Sequence, residues 1–150
     1  MPLPNANLKE SQRIQHQIYL KIPAQSRFLP ILRDLSEIFC RNKGMQKAFA
    51  HNVMLCVDEA ASNIIKHSYK KGPGMITTTF ALFNNVLKIV LFHHGIPFDV
   101  STYKEPDIKE YIKAKRKGGL GLYIIKNLMD NIYYYSKNGV NQIILMKHIT

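Results

Sequence analysis

Apolar residues recur along the chain with two different periods, and each change of period marks a predicted element. Over residues 26–41 and 45–69 the apolar positions follow helical spacing, which predicts two helices. Over residues 16–22, 75–83 and 86–93 the pattern is alternating or continuously apolar, which predicts three strands. The first half of the chain is therefore expected to form one strand, two helices and a pair of strands.

Turn residues separate these elements and continue the pattern to the end of the chain. Asn84-Asn85 and Asn138-Gly139 tolerate the positive φ of tight hairpin turns, so each should join two antiparallel strands. The second hairpin pairs residues 131–137 with residues 141–148. A glycine cluster opens a third predicted helix, which runs to about Asp130.

This order of elements predicts an α/β fold of two layers, with helices on one face of a mixed, mostly antiparallel sheet. Residues 1–12 are polar and aperiodic, so they are interpreted as a flexible arm that precedes a single domain over residues 13–150. We expect a cytoplasmic protein, because no signal-peptide pattern and no membrane-length apolar run is found in the sequence.

Charge and cysteine content narrow the functional classes. The formal net charge is +11, which favours acidic partners, but no base-reading motif accompanies it, so nucleic-acid binding is disfavoured. Cys40 and Cys56 lack the spacing of a zinc site and are expected to be buried free thiols.

Three polar residues on the second predicted helix are the first candidates for chemistry. Glu59, Asn63 and His67 are spaced by four, so they line one stripe of the helix. By itself this stripe is more typical of an ordinary solvent-facing surface. His67 has a second, equally weighted interpretation, a histidine that is hydrogen-bonded to nearby backbone.

The glycine cluster makes the stripe more informative. Gly118, Gly119 and Gly121 precede a helix whose first-turn amides have no partner within the helix, and such an N-terminus attracts phosphate. A single glycine cluster could be an ordinary strand-to-helix turn, but together with the upstream stripe it is a more specific signal of a phosphate-binding site.

Three segments carry a resemblance to a known family. In order they are DEAASNIIKHSY, FHHGIPFD and KGGLGLYIIKNLMD. They resemble the successive boxes of the GHKL (histidine kinase-like) ATPase superfamily, most closely its anti-sigma-factor serine kinases. The resemblance covers nearly the whole chain and implies a Bergerat-type α/β sandwich that holds ATP beneath a lid, here residues 99–118.

The resemblance also implies roles for individual residues. Glu59 would be the general base that accepts the proton of a substrate serine, and Asn63 would hold Mg²⁺. His67 would help to orient the site. The phosphate-side loop and lid hinge would be formed by Gly118, Gly119, Leu120, Gly121 and Leu122.

The middle box departs from the family pattern. His93 stands where the family has an aspartate that accepts a hydrogen bond from the adenine amino group, whereas Gly95, Pro97 and Phe98 fit the box. A neutral imidazole has one acceptor nitrogen and a protonated one has none. Losing that hydrogen bond is expected to cost about 1–3 kcal/mol of ATP binding. His93 and His94 should point to opposite faces of a strand, which argues against a shared zinc ion.

Two functions follow as hypotheses. In the first, the protein is an ATP- and Mg²⁺-dependent serine/threonine protein kinase. It phosphorylates an anti-anti-sigma (STAS-type) protein and sequesters a sigma factor, and the resemblance implies a homodimer. In the alternative, the protein is a kinase-like regulatory binding module whose ATP binding is weak or lost because of His93. Kinase activity thus depends on whether ATP is bound.

Overall fold

The computed structural model describes residues 16–98, 104–114 and 120–149. Gly118 and Gly119, and the flexible arm predicted over residues 1–12, lie outside the described residues. Within these ranges five strands form one sheet: β1 (His16–Pro23), β2 (Met75–Phe83), β3 (Val86–His93), β4 (Asn131–Lys137) and β5 (Val140–His148). The same part of the chain contains four α-helices: α1 (Leu29–Asn42), α2 (Lys47–Asn63), α3 (Ile108–Lys113) and α4 (Gly121–Leu128).

The strand order in the sheet is β1-β2-β3-β5-β4, and all four pairings are antiparallel. The predicted mostly antiparallel sheet is thus confirmed, and the described strands include no parallel pair. Both predicted hairpin turns are also confirmed, since Asn84, Asn85 and Asn138 adopt positive φ and Gly139 has φ +77°. The insertion of β5 between β3 and β4 brings the end of β3 against the start of β5.

Helices α1, α2 and α4 lie on one face of the sheet, as predicted. α2 packs between α1 and α4. Its apolar stripe is buried together with the alternate residues of the strands that face it, and the strand residues of this core are Ile22, Ile76, Phe80, Leu87, Ile89, Leu91, Ile143 and Leu145. The opposite side of the sheet, turned away from the helices, is called the open face below. Its exposed aromatic residues are Tyr19, Tyr133 and Tyr135.

Helix α1 has clear signals at both ends. Pro30 lies in its first turn, where the missing backbone N–H costs no helical hydrogen bond. Gly44 follows its end with φ +76° and donates its N–H to the carbonyl of Arg41 at 3.0 Å. A short 3-10 helix over Ser26–Phe28 precedes α1, so the helix predicted from residue 26 begins with a tighter turn.

The predicted long second helix is continuous but changes its winding at Ile64. Residues Ile64–Ser68 form a π-helical turn, in which the N–H of Tyr69 bonds to the carbonyl of Ile64 at 2.9 Å. Such single wide turns are frequently found at functional sites. Here the turn follows directly after Asn63, one of the candidate residues.

Helix α3 lies within residues 99–118, the segment that was expected to be a lid and in which no helix was predicted. Its start is capped by Asp107, whose Oδ1 accepts hydrogen bonds from the N–H groups of Lys109 and Glu110. No helix among the described residues is long and apolar enough to cross a membrane.

Candidate functional site

Glu59, Asn63 and Gly121 meet where α2 passes the start of α4. A methyl group added to Gly121 would lie 2.5 Å from Glu59 Oε2 and 3.5 Å from Asn63 Nδ2. Any larger residue at the start of α4 would therefore require the Glu59 carboxylate to move, whereas the distance to Asn63 is an ordinary contact. The structure brings together two residues of the predicted stripe and one residue of the predicted glycine loop.

The local environment of Glu59 suits a proton acceptor. The side chain is partly buried, and this burial raises the pKa of its carboxyl group; the neighbouring Asp58 raises it further, whereas Lys66 opposes the shift. A carboxylate with a raised pKa is a stronger base than one in water. The carboxylate of Asp58 itself is turned elsewhere and is paired with Arg33 at 2.9 Å.

Gly95 fixes the loop that follows β3 against the end of the π-helical turn. A methyl group at Gly95 would lie 2.6 Å from the backbone oxygen of Ser68, which has no freedom to move aside. The same oxygen accepts a hydrogen bond from the N–H of Ile96 at 2.8 Å. The glycine predicted from the middle box is therefore required for this close backbone contact.

His93 ends β3 on the helix-covered face and is only 1% exposed. Burial, together with a smaller contribution from the neighbouring His94, lowers the pKa of His93 to about 4. The imidazole is consequently neutral at physiological pH, so it retains one donor and one acceptor nitrogen. Its Nδ1 is buried without a hydrogen-bond partner.

Asn141 was not predicted from the sequence, yet it lies directly opposite His93 in the pairing of β3 with β5. It is 4% exposed, and its Nδ2 donates a hydrogen bond to the carbonyl oxygen of Gly95 at 2.7 Å. Its Oδ1 is buried without a partner. The sequence signal was a polar residue placed just before the apolar run of β5.

His94 points away from His93, as expected from the alternation of a strand. It lines a shallow cavity of about 400 Å³ on the open face, together with Phe92 and Tyr19. Its backbone N–H donates to the hydroxyl of Tyr69 at 2.8 Å, and that hydroxyl donates to the carbonyl of Met75. Among the described residues, no cluster of histidine, cysteine, aspartate or glutamate could hold a metal ion.

The remaining predicted site residues have varied positions. His67 lies on the π-helical turn and is exposed. Phe98 stacks on Tyr134, with ring centroids 5.6 Å apart and planes inclined by 20°. Leu122 is buried, whereas Leu120 is half-buried immediately before α4. The nucleotide-binding roles predicted for these four residues stay predictions.

Both cysteines are buried free thiols, as predicted. Burial is the main cause that raises the pKa of each thiol, Cys40 and Cys56, to about 12. At neutral pH they are therefore protonated, and thiolate chemistry is excluded from the site.

Comparison with known proteins agrees with the geometry. The family model described as "Histidine kinase-like ATPase domain" matches residues 22–147. The serine-protein kinase RsbW of Staphylococcus epidermidis is 34% identical over 145 residues, which cover 92% of this chain and 90% of that protein. RsbW of Bacillus mycoides is 31% identical over 137 residues, covering 89% and 85%.

Two solved structures share the fold. One contains the RsbU and RsbW domains of Rv1364c from Mycobacterium tuberculosis, with a TM-score of 0.66 and 12% identity; the match covers 90% of this chain and 32% of that one. The other is the SiaB-SiaC complex from Pseudomonas aeruginosa, with a TM-score of 0.59 and 16% identity, covering 92% of both chains. On the family match and the identity to the RsbW kinases, the chain belongs to the family of histidine kinase-like ATPase domains, in the branch of the RsbW serine-protein kinases.

Proposed function

We propose that the protein is an ATP-dependent serine protein kinase that acts as an anti-sigma factor. The observation that carries the proposal is the meeting of Glu59, Asn63 and Gly121 at the start of α4. These residues supply a base, a metal-binding amide and a close backbone approach at one point. The relatives named serine-protein kinases at about a third identity support the same reaction.

The residues present fit ATP and Mg²⁺. The absence of a side chain at Gly121 lets the start of α4 lie against the acid and the amide, and the positive end of a helix favours phosphate. Asn63 offers a side-chain oxygen, the ligand type that Mg²⁺ prefers. When bound, the metal would offset negative charge on the phosphates. His93, at the end of β3, and Asn141, opposite it on β5, offer unpartnered polar atoms to the adenine ring.

In the proposed reaction, Glu59 accepts the proton of the substrate serine hydroxyl as the serine oxygen bonds to the γ-phosphorus; the bond between that phosphorus and the β,γ-bridging oxygen breaks, and ADP leaves. Burial supports this role because it disfavours the charged carboxylate and so raises the affinity of Glu59 for a proton. Gly121 keeps α4 from displacing the carboxylate. Residues 99–118, which include the described helix α3, would act as the lid over the nucleotide.

The partners proposed are an anti-anti-sigma protein of STAS type, which carries the acceptor serine, and a sigma factor. The net charge of +11 supports acidic partners. A homodimer is proposed through the open face, where Tyr19 on β1 is 73% exposed and Tyr133 on β4 is 43% exposed, at the two ends of a row across the sheet that contains the apolar residues Val90 and Ile144. Exposed aromatic residues around a small apolar centre are typical of protein interfaces.

The alternative, a binding module without efficient ATP use, is not favoured. It rested on His93, whereas the relatives at 31–34% identity are kinases by name and Glu59, Asn63 and Gly121 lie together in this chain. Purified STAS-type proteins of the same cell, incubated with the full chain and Mg-ATP, test the proposal. Mass spectrometry should find phosphoserine in one of them with wild type and none with Glu59→Gln. Equal phosphorylation by both proteins would contradict the assigned base.

A further inference from the structure

Three buried side-chain atoms of the described residues lack a hydrogen-bond partner: Thr78 Oγ1, His93 Nδ1 and Asn141 Oδ1. All three residues face the helices from neighbouring strands. Asn141 is directly opposite His93, and Thr78 pairs with Leu91, which places it diagonally from His93. Diagonal neighbours in a sheet lie within about 7–8 Å of each other. The unpartnered atoms therefore form one polar cluster, on a sheet face whose other buried residues are apolar.

Unpartnered polar atoms are rare in protein interiors because each costs about 1–3 kcal/mol when it loses its hydrogen bond to water. Three isolated defects in different places would need three explanations. Their concentration around His93, and above all the direct opposition of His93 and Asn141, points to a ligand group that pairs with these two residues when it binds.

The orientation of Asn141 determines what that group must offer. Its Nδ2 is bound to the carbonyl oxygen of Gly95 at 2.7 Å, and Gly95 is itself held against Ser68. Exchanging the amide nitrogen and oxygen would place two acceptors, Oδ1 and the Gly95 carbonyl, against each other. Asn141 Oδ1 is therefore a fixed acceptor, and the ligand must present a donor to it.

His93 can adapt where Asn141 cannot. A neutral imidazole carries one N–H and one acceptor nitrogen, and the proton can reside on either. With the proton on Nδ1, His93 offers a donor beside the fixed acceptor of Asn141. An acceptor next to a donor is the complement of the adenine edge, where the 6-amino group donates and the adjacent N1 accepts.

We propose that Asn141 Oδ1 accepts a hydrogen bond from the 6-amino group of adenine while His93 Nδ1–H donates to N1, so that this pair replaces a lone carboxylate and selects adenine. The inference rests on the proposed nucleotide-binding function and deepens it. Asn141 becomes the residue that distinguishes 6-amino from 6-oxo purines. His93 then complements adenine through a donor instead of the acceptor that an aspartate would supply.

Calorimetric titration of the full chain with three Mg²⁺-nucleotides tests this. Compared with ATP, purine riboside triphosphate lacks the amino group and should bind about tenfold more weakly. ITP presents an oxygen to Asn141 Oδ1 and leaves a buried acceptor unpaired, so it should bind about a hundredfold more weakly. In Asn141→Leu the differences among the three ligands should largely disappear. The matched control is Gln142→Leu, the next residue, which lies on the opposite face and should preserve them.

Each outcome decides the proposal. Equal binding of ATP and ITP by wild type would overturn the base-reading inference while leaving the kinase proposal intact. A preference for ATP that persists in Asn141→Leu would show that other residues read the base. Binding of none of the three would overturn both proposals. If Asn141→Leu does not fold, the wild-type comparison of ATP with purine riboside triphosphate still decides, and ¹⁵N NMR of ATP-bound protein should find the His93 proton on Nδ1.

Discussion

The two ends of the candidate site are built in different ways. At the end proposed to bind the adenine nucleobase, called the base end, His93 and Asn141 are almost completely buried, and Gly95 is fixed by backbone contact with Ser68. At the phosphate end, Glu59 and Asn63 are half-buried, and Gly121 touches only the tips of their side chains. Substitutions at the base end must therefore disturb the fold, whereas those at the phosphate end can change chemistry alone.

This difference assigns nucleotide specificity to one end of the site and phosphoryl transfer to the other. The base end selects the ligand with groups that also hold β3, β5 and the π-helical turn together. The phosphate end places the proposed general base, Glu59, and the amide of Asn63 on α2, where both remain accessible to a second protein. The following predictions test this separation, beginning with the largest expected effect.

Glu59→Gln should lower serine phosphorylation by about 10²–10⁴-fold, because an amide cannot accept the hydroxyl proton. Nucleotide affinity should change little. Since burial raises the pKa of Glu59, its ionisation opposes folding as pH rises above the unfolded-state value, so the melting temperature at pH 7 should be equal or higher. Phosphotransfer assays and thermal melts check both points. Asp34→Asn, an exposed change on α1, should leave transfer unchanged.

Gly95→Ala should destabilise the fold by about 1–3 kcal/mol, because the added methyl would meet the Ser68 carbonyl oxygen and neither backbone can yield. Urea unfolding of the variant and wild type measures the change. An unaltered midpoint with an unaltered m-value would contradict the claim that the base end is coupled to the fold.

Gly121→Ala, in contrast to Gly95→Ala, should lower activity more than stability. Its added methyl meets the carboxylate tip of Glu59, which can rotate away, and alanine is the better residue in a helix by about 0.5–1 kcal/mol. We expect near-normal stability with about tenfold less phosphotransfer, because a displaced general base transfers protons poorly. If stability falls as much as in Gly95→Ala, the two ends do not differ as described.

The smallest effect concerns pH. With its pKa lowered to about 4, His93 should show constant NMR shifts between pH 8 and 5.5. The unfolded chain takes up this proton near pH 6.5, so stability should decline as pH falls from about 6.5 towards 4. The decline should be smaller in His93→Gln. A titration midpoint near 6.5 for His93 would contradict a buried, neutral imidazole.

Much of this architecture could be predicted from local patterns. The hairpins follow from Asn84-Asn85 and Asn138-Gly139, and the stripe of Glu59 and Asn63 follows from helical periodicity, because both depend on residues close in sequence. Asn141 could not be found in this way. It lies opposite His93 only because β5 pairs between β3 and β4. Which strands pair in a sheet is decided by the tertiary fold and is not shown by the local spacing of residues.

The π-helical turn and α3 escaped prediction for other reasons. Ile64–Ser68 carries ordinary helical periodicity, and its wider winding is associated with the contact between Ser68 and the loop at Gly95. Helix α3 is six residues long and rich in lysine, so it offers too few apolar positions to show a period. The resemblance to a known family supplied the positions of Glu59, Asn63 and His93, but it did not show how a histidine could serve at the base end.

Calorimetric titration of the full chain with Mg-ATP, repeated on His93→Asp, tests the central claim most directly. Wild type should bind one ATP per chain with micromolar affinity, because His93 and Asn141 together replace the carboxylate. Absence of wild-type binding at millimolar ATP, with binding restored in His93→Asp, would contradict the account and favour a binding module that does not use ATP.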